Sequence, residues 1–597
     1  MPVTEVGARS GLRRRLALAI AVLTMLSLVL PAGVLGAKPS ARQSNTVDVQ
    51  LLAINDFHGN LQPPSGSSGR VGSAIDDPAC IAAGPANCVL AGGLAYLADD
   101  VKDLEATNPD RTLVVAAGDS IGGTPLISAA FHDEPTIEAL NMIGLDVSAV
   151  GNHEFDEGVD ELLRIQNGGC HPTDGCQTGH TYAGADFQYL AANVVYKDTG
   201  KTILPAFNVK RVGGVKVGFI GLTLEGTNLI VSAAGIQDVN FLDEAKSINA
   251  AVKKLKNRDV KTIVVLIHEG GAQSVGLNPG TVNTCTGMSG AITEIVGNMS
   301  GAVDLVVSGH THNAYNCLLP NRANKAIPVS SASSFGRLVT DIDMTINRNS
   351  GNPTSISINN RIVFRDDTDP AAAALVSNYQ TLVAPIANRV IGSITASITR
   401  TANAAGESAL GDVIADAQLE YTQSAGGQLA FMNPGGIRTD LAFLSSPAGE
   451  GDGVVTFGEA FAVQPFNNLV VTQDMTGAQI EAVLEQQWAA CTPPGRSNDA
   501  TVILQVSATF TYSYSDTQPC GSRISEMELN GVPIDPAAVY KVTANNFLAD
   551  GGDSFPAFTA GTNRVFAPLF DVDALEAYIS AHSPVPPGPQ NRITKLP

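Results

Sequence analysis

Apolar residues along this chain fall into short runs separated by longer mixed stretches. From Val47 to about Arg365 the runs Val47–Ile54, Thr112–Ala117, Val147–Val150, Val215–Leu222, Thr262–Ile267 and Val303–Val307 are short and rich in β-branched residues. Runs of that kind alternating with helical stretches predict an α/β layered fold. The Gly/Ser/Pro-rich stretch Pro63–Gly72 reads as a surface loop, as does the cysteine-bearing Gly168–Gly184. From Asp366 to Arg389 the pattern turns helical, through Ala371–Val376 and Tyr379–Val383, and reads as a connector. A second mixed α/β region follows over 390–597. It should hold helices over Leu410–Tyr421 and Gly477–Ala490, a strand over Thr501–Tyr512 and a turn at Pro584–Pro589. No tandem repeat is evident.

One apolar run differs from the rest. Leu16–Leu30 is nearly unbroken, follows Arg13, Arg14 and Arg15, and leads through Pro31 and Gly33 to small residues at Gly36 and Ala37. This predicts a signal peptide over 1–37, too short for a comfortable membrane span. An uncleaved anchor is the weaker alternative, and the three arginines leave twin-arginine export open. Residues 38–46 then read as a polar tail after cleavage. No later run reaches the roughly 18 apolar residues of a span, so the processed chain is expected to be soluble, secreted or held near the cell surface.

Eight cysteines after an export signal read as disulfides, and sequence-near pairing suggests 80–88, 170–176, 285–317 and 491–520. Zinc is the rival reading, but no CxxC pair is present. The composition is that of an ordinary globular protein, with 44% hydrophobic and 16% charged residues. The net charge of −21 disfavours binding of nucleic-acid polymers, which need Lys/Arg clusters. It leaves room for a small anion in a metal-lined pocket, where bound ions dominate the local charge.

Five polar motifs each follow an apolar run: Asn55-Asp56-Phe57-His58-Gly59, Gly118-Asp119-Ser120, Gly151-Asn152-His153-Glu154-Phe155-Asp156, Ile267-His268-Glu269-Gly270 and Gly309-His310-Thr311-His312. In an open α/β sheet, functional groups gather past the carboxyl ends of strands, so dispersed motifs can converge. Asp, Asn and His offer oxygen and nitrogen ligands suited to divalent ions such as Zn, Mn or Fe. There are more such groups than one ion needs, and two ions about 3.5–4 Å apart would use them. Each motif alone is a weak signal; a turn or a core histidine explains it equally well. The set of five in this order is a strong one.

In that order the motifs resemble the calcineurin-like metallophosphoesterase superfamily, and the second half resembles the C-terminal domain of 5′-nucleotidases. The resemblance implies an αββα sandwich with a dinuclear metal site over 47–365, a helical connector over 366–389 and a nucleoside-binding domain over 390–597. It places Asp56 and His58 on the first metal, Asp119 between both, and Asn152, His268 and His310 on the second. His312 stands where the family uses Gln, Asn or His near the first metal. His153 and Asp156 resemble the catalytic His–Asp pair. The alternative for His153 is a hydrogen bonder behind the metals.

In the second half, Asn433-Pro434-Gly435-Gly436-Ile437-Arg438, Gln464-Pro465-Phe466-Asn467-Asn468 and Asn545–Asp553 resemble the family's substrate-binding stretches. By the resemblance Phe466 and Phe547 would sandwich the base, Asp553 would take ribose hydroxyls, Arg438 would meet phosphate oxygens and Asn433 would assist. One departure stands out. The family often has an Arg three residues before Glu407, where this chain has Ala404; Arg400 is the nearest substitute. The implied activity is hydrolysis of nucleoside monophosphates with two divalent ions, with domain rotation about the connector closing the site. A 2′,3′-cyclic phosphodiesterase or UDP-sugar hydrolase on the same site is the nearest alternative. A catalytically silent nucleotide-binding or adhesion protein is the more distant one.

Overall fold

The computed structural model describes residues 44–64, 66–72, 88–231, 233–446, 448–466, 468–491 and 501–597. The expected signal peptide, Cys80 and Asn467 lie outside these residues, and with Cys80 the 80–88 pairing.

Twelve strands of the first half build two sheets. They are β1 (Thr46–Ile54), β2 (Thr112–Ala117), β3 (Leu145–Ala149), β4 (Gln188–Leu190), β5 (Phe207–Val212), β6 (Val215–Thr223), β7 (Thr262–His268), β8 (Leu305–Ser308), β9 (Ala314–Pro320), β10 (Ala326–Ala332), β11 (Leu338–Asn347) and β12 (Pro353–Ile362). The first sheet has the order β12-β11-β1-β2-β3-β4 and the second β9-β10-β8-β7-β6-β5. β1 to β4 run parallel, as do β6, β7, β8 and β10.

Alternation along the strands explains the layering. Val47, Val49, Leu51 and Ala53 of β1 share a core with Val217, Phe219, Val264 and Leu266 of the second sheet. Leu52 and Ile54 point the other way, onto Leu94, Leu97 and Val101 of the helix Leu94–Glu105. On the far side, Ile220, Ile263 and Val265 pack under the helices Glu244–Asn257 and Ala291–Asn298. Both faces of the parallel strands are covered, so these strands read as continuous apolar runs. The result is the expected αββα sandwich.

The helix Pro370–Ala387 occupies the connector stretch. The Asp369 carboxylate caps it, accepting from the Ala371 and Ala372 N–H groups at 2.9 and 2.8 Å. Its buried residues Ala372, Val376, Tyr379 and Val383 join the core around Leu94 and Leu126. The Tyr379 hydroxyl donates to Glu138 Oε2 at 2.8 Å.

After the connector helix come a five-stranded sheet, ordered Gln505–Val506, Leu429–Met432, Val539–Asn545, Leu469–Thr476, Thr562–Phe570, and a four-stranded one built on Phe510–Tyr514. Two expectations need correction. Thr501–Tyr512 is not one strand: Gln505–Val506 pairs in the first of these sheets and Phe510–Tyr514 in the second, with a break between. The helix expected over 477–490 ends at Glu485. Disulfides join Cys170 to Cys176, Cys285 to Cys317 and Cys491 to Cys520, the pairs expected. Among the described residues, no helix is long and apolar enough to cross a membrane.

Candidate active site

The carboxyl ends of β1, β2, β3, β7 and β8 open on the same side, and the five motifs occupy the turns that follow. Five of the seven candidate ligands hold the left-handed backbone conformation: Asp56, His58, Asp119, His310 and His312, with φ between 45 and 70°. Such strain is tolerated where the surrounding structure over-determines it. The neighbouring glycines show how tight the turns are. A Cβ on Gly151 would lie 2.1 Å from Asp119 Oδ1, and one on Gly118 would lie 2.7 Å from His268 Nδ1.

The side chains fall into two overlapping groups. Asp56, His58 and His312 form one and Asp119, His268 and His310 the other, each with ligating atoms within 4.8 Å of one another. Asp119 joins them: its Oδ2 lies 3.6 Å from His58 Nε2 and 2.8 Å from His268 Nε2. His312 Nε2 lies 3.3 Å from Asp56 Oδ1 and 3.2 Å from His58 Nε2. The far nitrogens are tied back. His58 Nδ1 donates to the Gly122 carbonyl and His268 Nδ1 to the Ala117 carbonyl, both at 2.8 Å. This leaves each Nε2 as a lone-pair donor facing inward, the arrangement of a metal-ligating histidine.

Three observations show that this donor set fits divalent ions. Asn152 Oδ1 is buried without a hydrogen-bond partner, and His268 Nε2 faces only carboxylates, with Asp119 Oδ2 at 2.8 Å. Burial pushes the His310 imidazole down to about 4 and holds His58 and His312 below their usual values, which favours the neutral form that a metal ligand needs. Burial also opposes a charge on His268, yet Asp119 and Asp56 outweigh it and raise its pKa to about 10. The buried carboxylates demand a cation.

His153 sits at the rim of this site. Its N–H donates to Asp119 Oδ1 at 2.9 Å and its Nδ1 lies 2.8 Å from Asp156 Oδ2. Burial lowers the His153 pKa, but Asp156 and Asp119 outweigh it and the net shift is upward. Its ring stacks on Phe466, with centroids 5.6 Å apart and planes at 17°.

One cavity of about 340 Å³ reaches from Asn152, His153 and His310 to Asn433, Arg438, Phe466, Phe547 and Asp553. Asn433 Nδ2 donates to Asp553 Oδ2 at 2.7 Å, and Asn545 Nδ2 to Asn433 Oδ1 at 3.1 Å. The Phe547 ring packs against Gly552, where a Cβ would lie 2.5 Å from it. The motifs of both halves thus line one space. Ala404 is exposed on a turn, and Arg400 instead donates to the Ile437 carbonyl at 3.2 Å, near enough to Arg438 to depress its pKa further after burial. Glu407 and Asp412 face elsewhere, accepting from the backbone N–H groups of Arg592 and Gln590 at 2.9 Å each.

Three supporting residues escape sequence reasoning. The Glu154 carboxylate accepts from the N–H groups of Asp119, Ser120 and Gly151, clamping two motif turns together. Burial and the neighbouring Asp119 raise its pKa to about 7. Asn55 Nδ2 donates to Asp56 Oδ2 and to the Ser333 carbonyl, both at 2.6 Å. Asp133 holds Gly122 N–H at 3.0 Å and the hydroxyls of Thr124 and Ser128 at 2.7 Å, fixing the loop whose carbonyl orients His58. Glu154 and Asn55 lie inside the motifs, which is the only signal they carry; Asp133 has none.

The family model for calcineurin-like phosphoesterase matches residues 49–314, and that for the 5′-nucleotidase C-terminal domain matches 390–560. Endonuclease YhcR of Bacillus subtilis (strain 168) is 30% identical over 543 residues, which are 90% of this chain and 40% of that protein. Cell wall protein Lmo0130 of Listeria monocytogenes is 32% identical over 544 residues, 86% of this chain and 65% of that protein. The chain therefore spans less than two thirds of either relative. The crystal structure of a 5′-nucleotidase precursor from Thermus thermophilus superposes with a TM-score of 0.71 at 26% identity, covering 92% of this chain and 99% of that one. The chain belongs to the 5′-nucleotidase family, a calcineurin-like phosphoesterase domain followed by a 5′-nucleotidase C-terminal domain.

Proposed function

We propose that this chain is an exported 5′-nucleotidase that hydrolyses nucleoside monophosphates to nucleoside and phosphate with two divalent ions. The single cavity running from the imidazole–carboxylate cluster to Phe547 and Asp553 carries the reading. Asp56, His58 and His312 would hold one ion, His268, His310 and Asn152 the other, and Asp119 both. Bound there, the ions supply Lewis acidity for phosphoryl oxygens and acidify water.

The chain's own residues do the rest. His153 donates a hydrogen bond from Nδ1 to Asp156 and, held as a cation, offsets charge that develops on the phosphoryl group. Arg438 adds a buried guanidinium to the same cavity. Phe547 offers a flat face to the base, and Asp553, oriented by Asn433, accepts from ribose hydroxyls. Export is supported by the Arg13–Ala37 pattern and by the three disulfides. The Listeria relative is itself named a cell wall protein.

A second cavity of about 480 Å³ shares Arg438 and is lined also by Gly123, Phe335 and Glu459. It favours one alternative, a nucleoside diphosphate sugar whose sugar would lie there. Turnover by the purified chain separates these readings: phosphate from AMP or UMP, glucose 1-phosphate from UDP-glucose, or ring opening of 2′,3′-cyclic AMP to a monophosphate. Fastest turnover of a nucleoside 5′-monophosphate supports the nucleotidase; turnover confined to UDP-glucose or the cyclic nucleotide overturns it.

A further inference from the structure

A second cluster of ligating side chains stands on the surface, behind the His153–Asp156 pair. The Cys170–Cys176 disulfide closes a short turn that carries His171 and Asp174. Gly175 N–H donates to the His171 carbonyl at 2.9 Å, which sets the two side chains next to each other. Opposite them His132 holds a left-handed backbone, φ 50°, and its ring lies parallel to that of His171, with centroids 3.8 Å apart and planes at 11°. Asp174 Oδ2 lies 2.9 Å from His132 Nε2 and 3.4 Å from His171 Nδ1. Glu157 Oε2 lies 3.1 Å from the other ring nitrogen, His132 Nδ1.

The charges around this cluster do not balance. Glu161 is taken by Arg164, at 2.7 Å. Among the described residues, Glu157 and Asp174 pair with no Lys or Arg. Hydrogen bonding to Glu157, against the cost of burial, raises the His132 pKa to about 9, so in the absence of a metal one imidazolium faces two carboxylates. A divalent ion beside Asp174 would take the Nε2 lone pair of His132 while Nδ1 keeps its hydrogen bond to Glu157.

We propose that His132, His171 and Asp174 bind a first-row transition-metal ion such as Zn²⁺, with Glu157 orienting the His132 ring from its other nitrogen. Mixed imidazole and carboxylate donors suit that class of ion. Ligands about 2.0 Å from a tetrahedral ion lie about 3.3 Å apart, close to the separations here. The disulfide orders the His171–Asp174 turn in advance, which lowers the entropy lost on binding. The ion would rivet the 168–184 loop to the back of the catalytic loops. His132 precedes Asp133, which fixes Gly122, and Glu157 follows Asp156. Binding displaces the His132 proton, so occupancy falls on acidification.

The test is Zn²⁺ stoichiometry of the full chain after equilibrium dialysis at neutral pH, read by elemental analysis. The wild type should hold one more Zn²⁺ per chain than the double variant His171→Ala/Asp174→Ala. The single variant His171→Gln, which keeps the turn and a polar side chain, should also show the loss, and it decides the matter if the double variant misfolds. Equal stoichiometry in wild type and variants overturns the proposal. So does a His132 ring that nuclear magnetic resonance shows doubly protonated in the presence of saturating Zn²⁺.

Discussion

Two histidines in the cavity illustrate how placement sets chemistry. His268 is buried with Nδ1 tied to a carbonyl and Nε2 aimed at Asp119, the posture of a ligand. His153 turns Nδ1 to a carboxylate, Asp156, and only its backbone N–H to Asp119, the posture of a cation beside a substrate. The difference predicts separable phenotypes. His153→Ala should lower kcat for AMP by roughly 10²–10⁴-fold while the metal content stays at the wild-type value. Metal loss as large as in His268→Ala would reassign His153 to the ligand set. The ligand candidates are legible in the sequence because each stands in a short polar motif after an apolar run. Glu154 and Asp133 are not, because their work is to hold backbone N–H groups that are far away in sequence or invisible until the turns are folded. A lone carboxylate carries no mark of what it will accept from.

At the scale of elements, apolar periodicity finds the parallel strands well, since burial on both faces leaves runs that stand out from their surroundings. It fails over Thr501–Tyr512, because the chain leaves one sheet after Val506 and enters another at Phe510. The interval is only Ser507, Ala508 and Thr509, with no Gly, Pro or charge to mark the change of sheet. Helix termini also carry buried charge. Asp571 begins the helix Asp571–His582, and burial raises its pKa from 3.8 to about 7. A carboxyl with a raised folded-state pKa contributes stability below about pH 4, and that contribution is lost as pH rises towards 7. Asp571→Asn removes the charge. Its melting temperature relative to wild type should therefore climb between pH 4 and 7 and level off above. A difference that stays constant across that range would show that Asp571 ionises normally in the fold.

Across the whole molecule, residues on either side of the connector helix line one cavity, so neither stretch contains the site alone. The convergence of Asn433, Arg438, Phe466, Phe547 and Asp553 on the imidazole–carboxylate cluster depends on how the later sheets pack, and no local pattern encodes it. Only the resemblance to a known family anticipates it. Division of labour follows from that arrangement. Stacking of a base on an aromatic ring is worth about 1–3 kcal/mol, so Phe547→Ala should raise KM for AMP by roughly 5- to 150-fold with little change in metal content. An unchanged KM would remove Phe547 from the base site. The net charge of −21 opposes approach of an anionic nucleotide, so on the proposed reading the local field of two ions and of Arg438 would have to draw it in.

The most direct test of the account is phosphate release from AMP by the full chain, before and after metal removal by a chelator and restoration with Mn²⁺ or Zn²⁺. The account predicts turnover that disappears with the metal, returns when about two ions per chain are restored at the motif cluster, and is absent in His268→Ala. Turnover that survives complete metal removal, or no turnover from a folded chain that holds both ions, would contradict it.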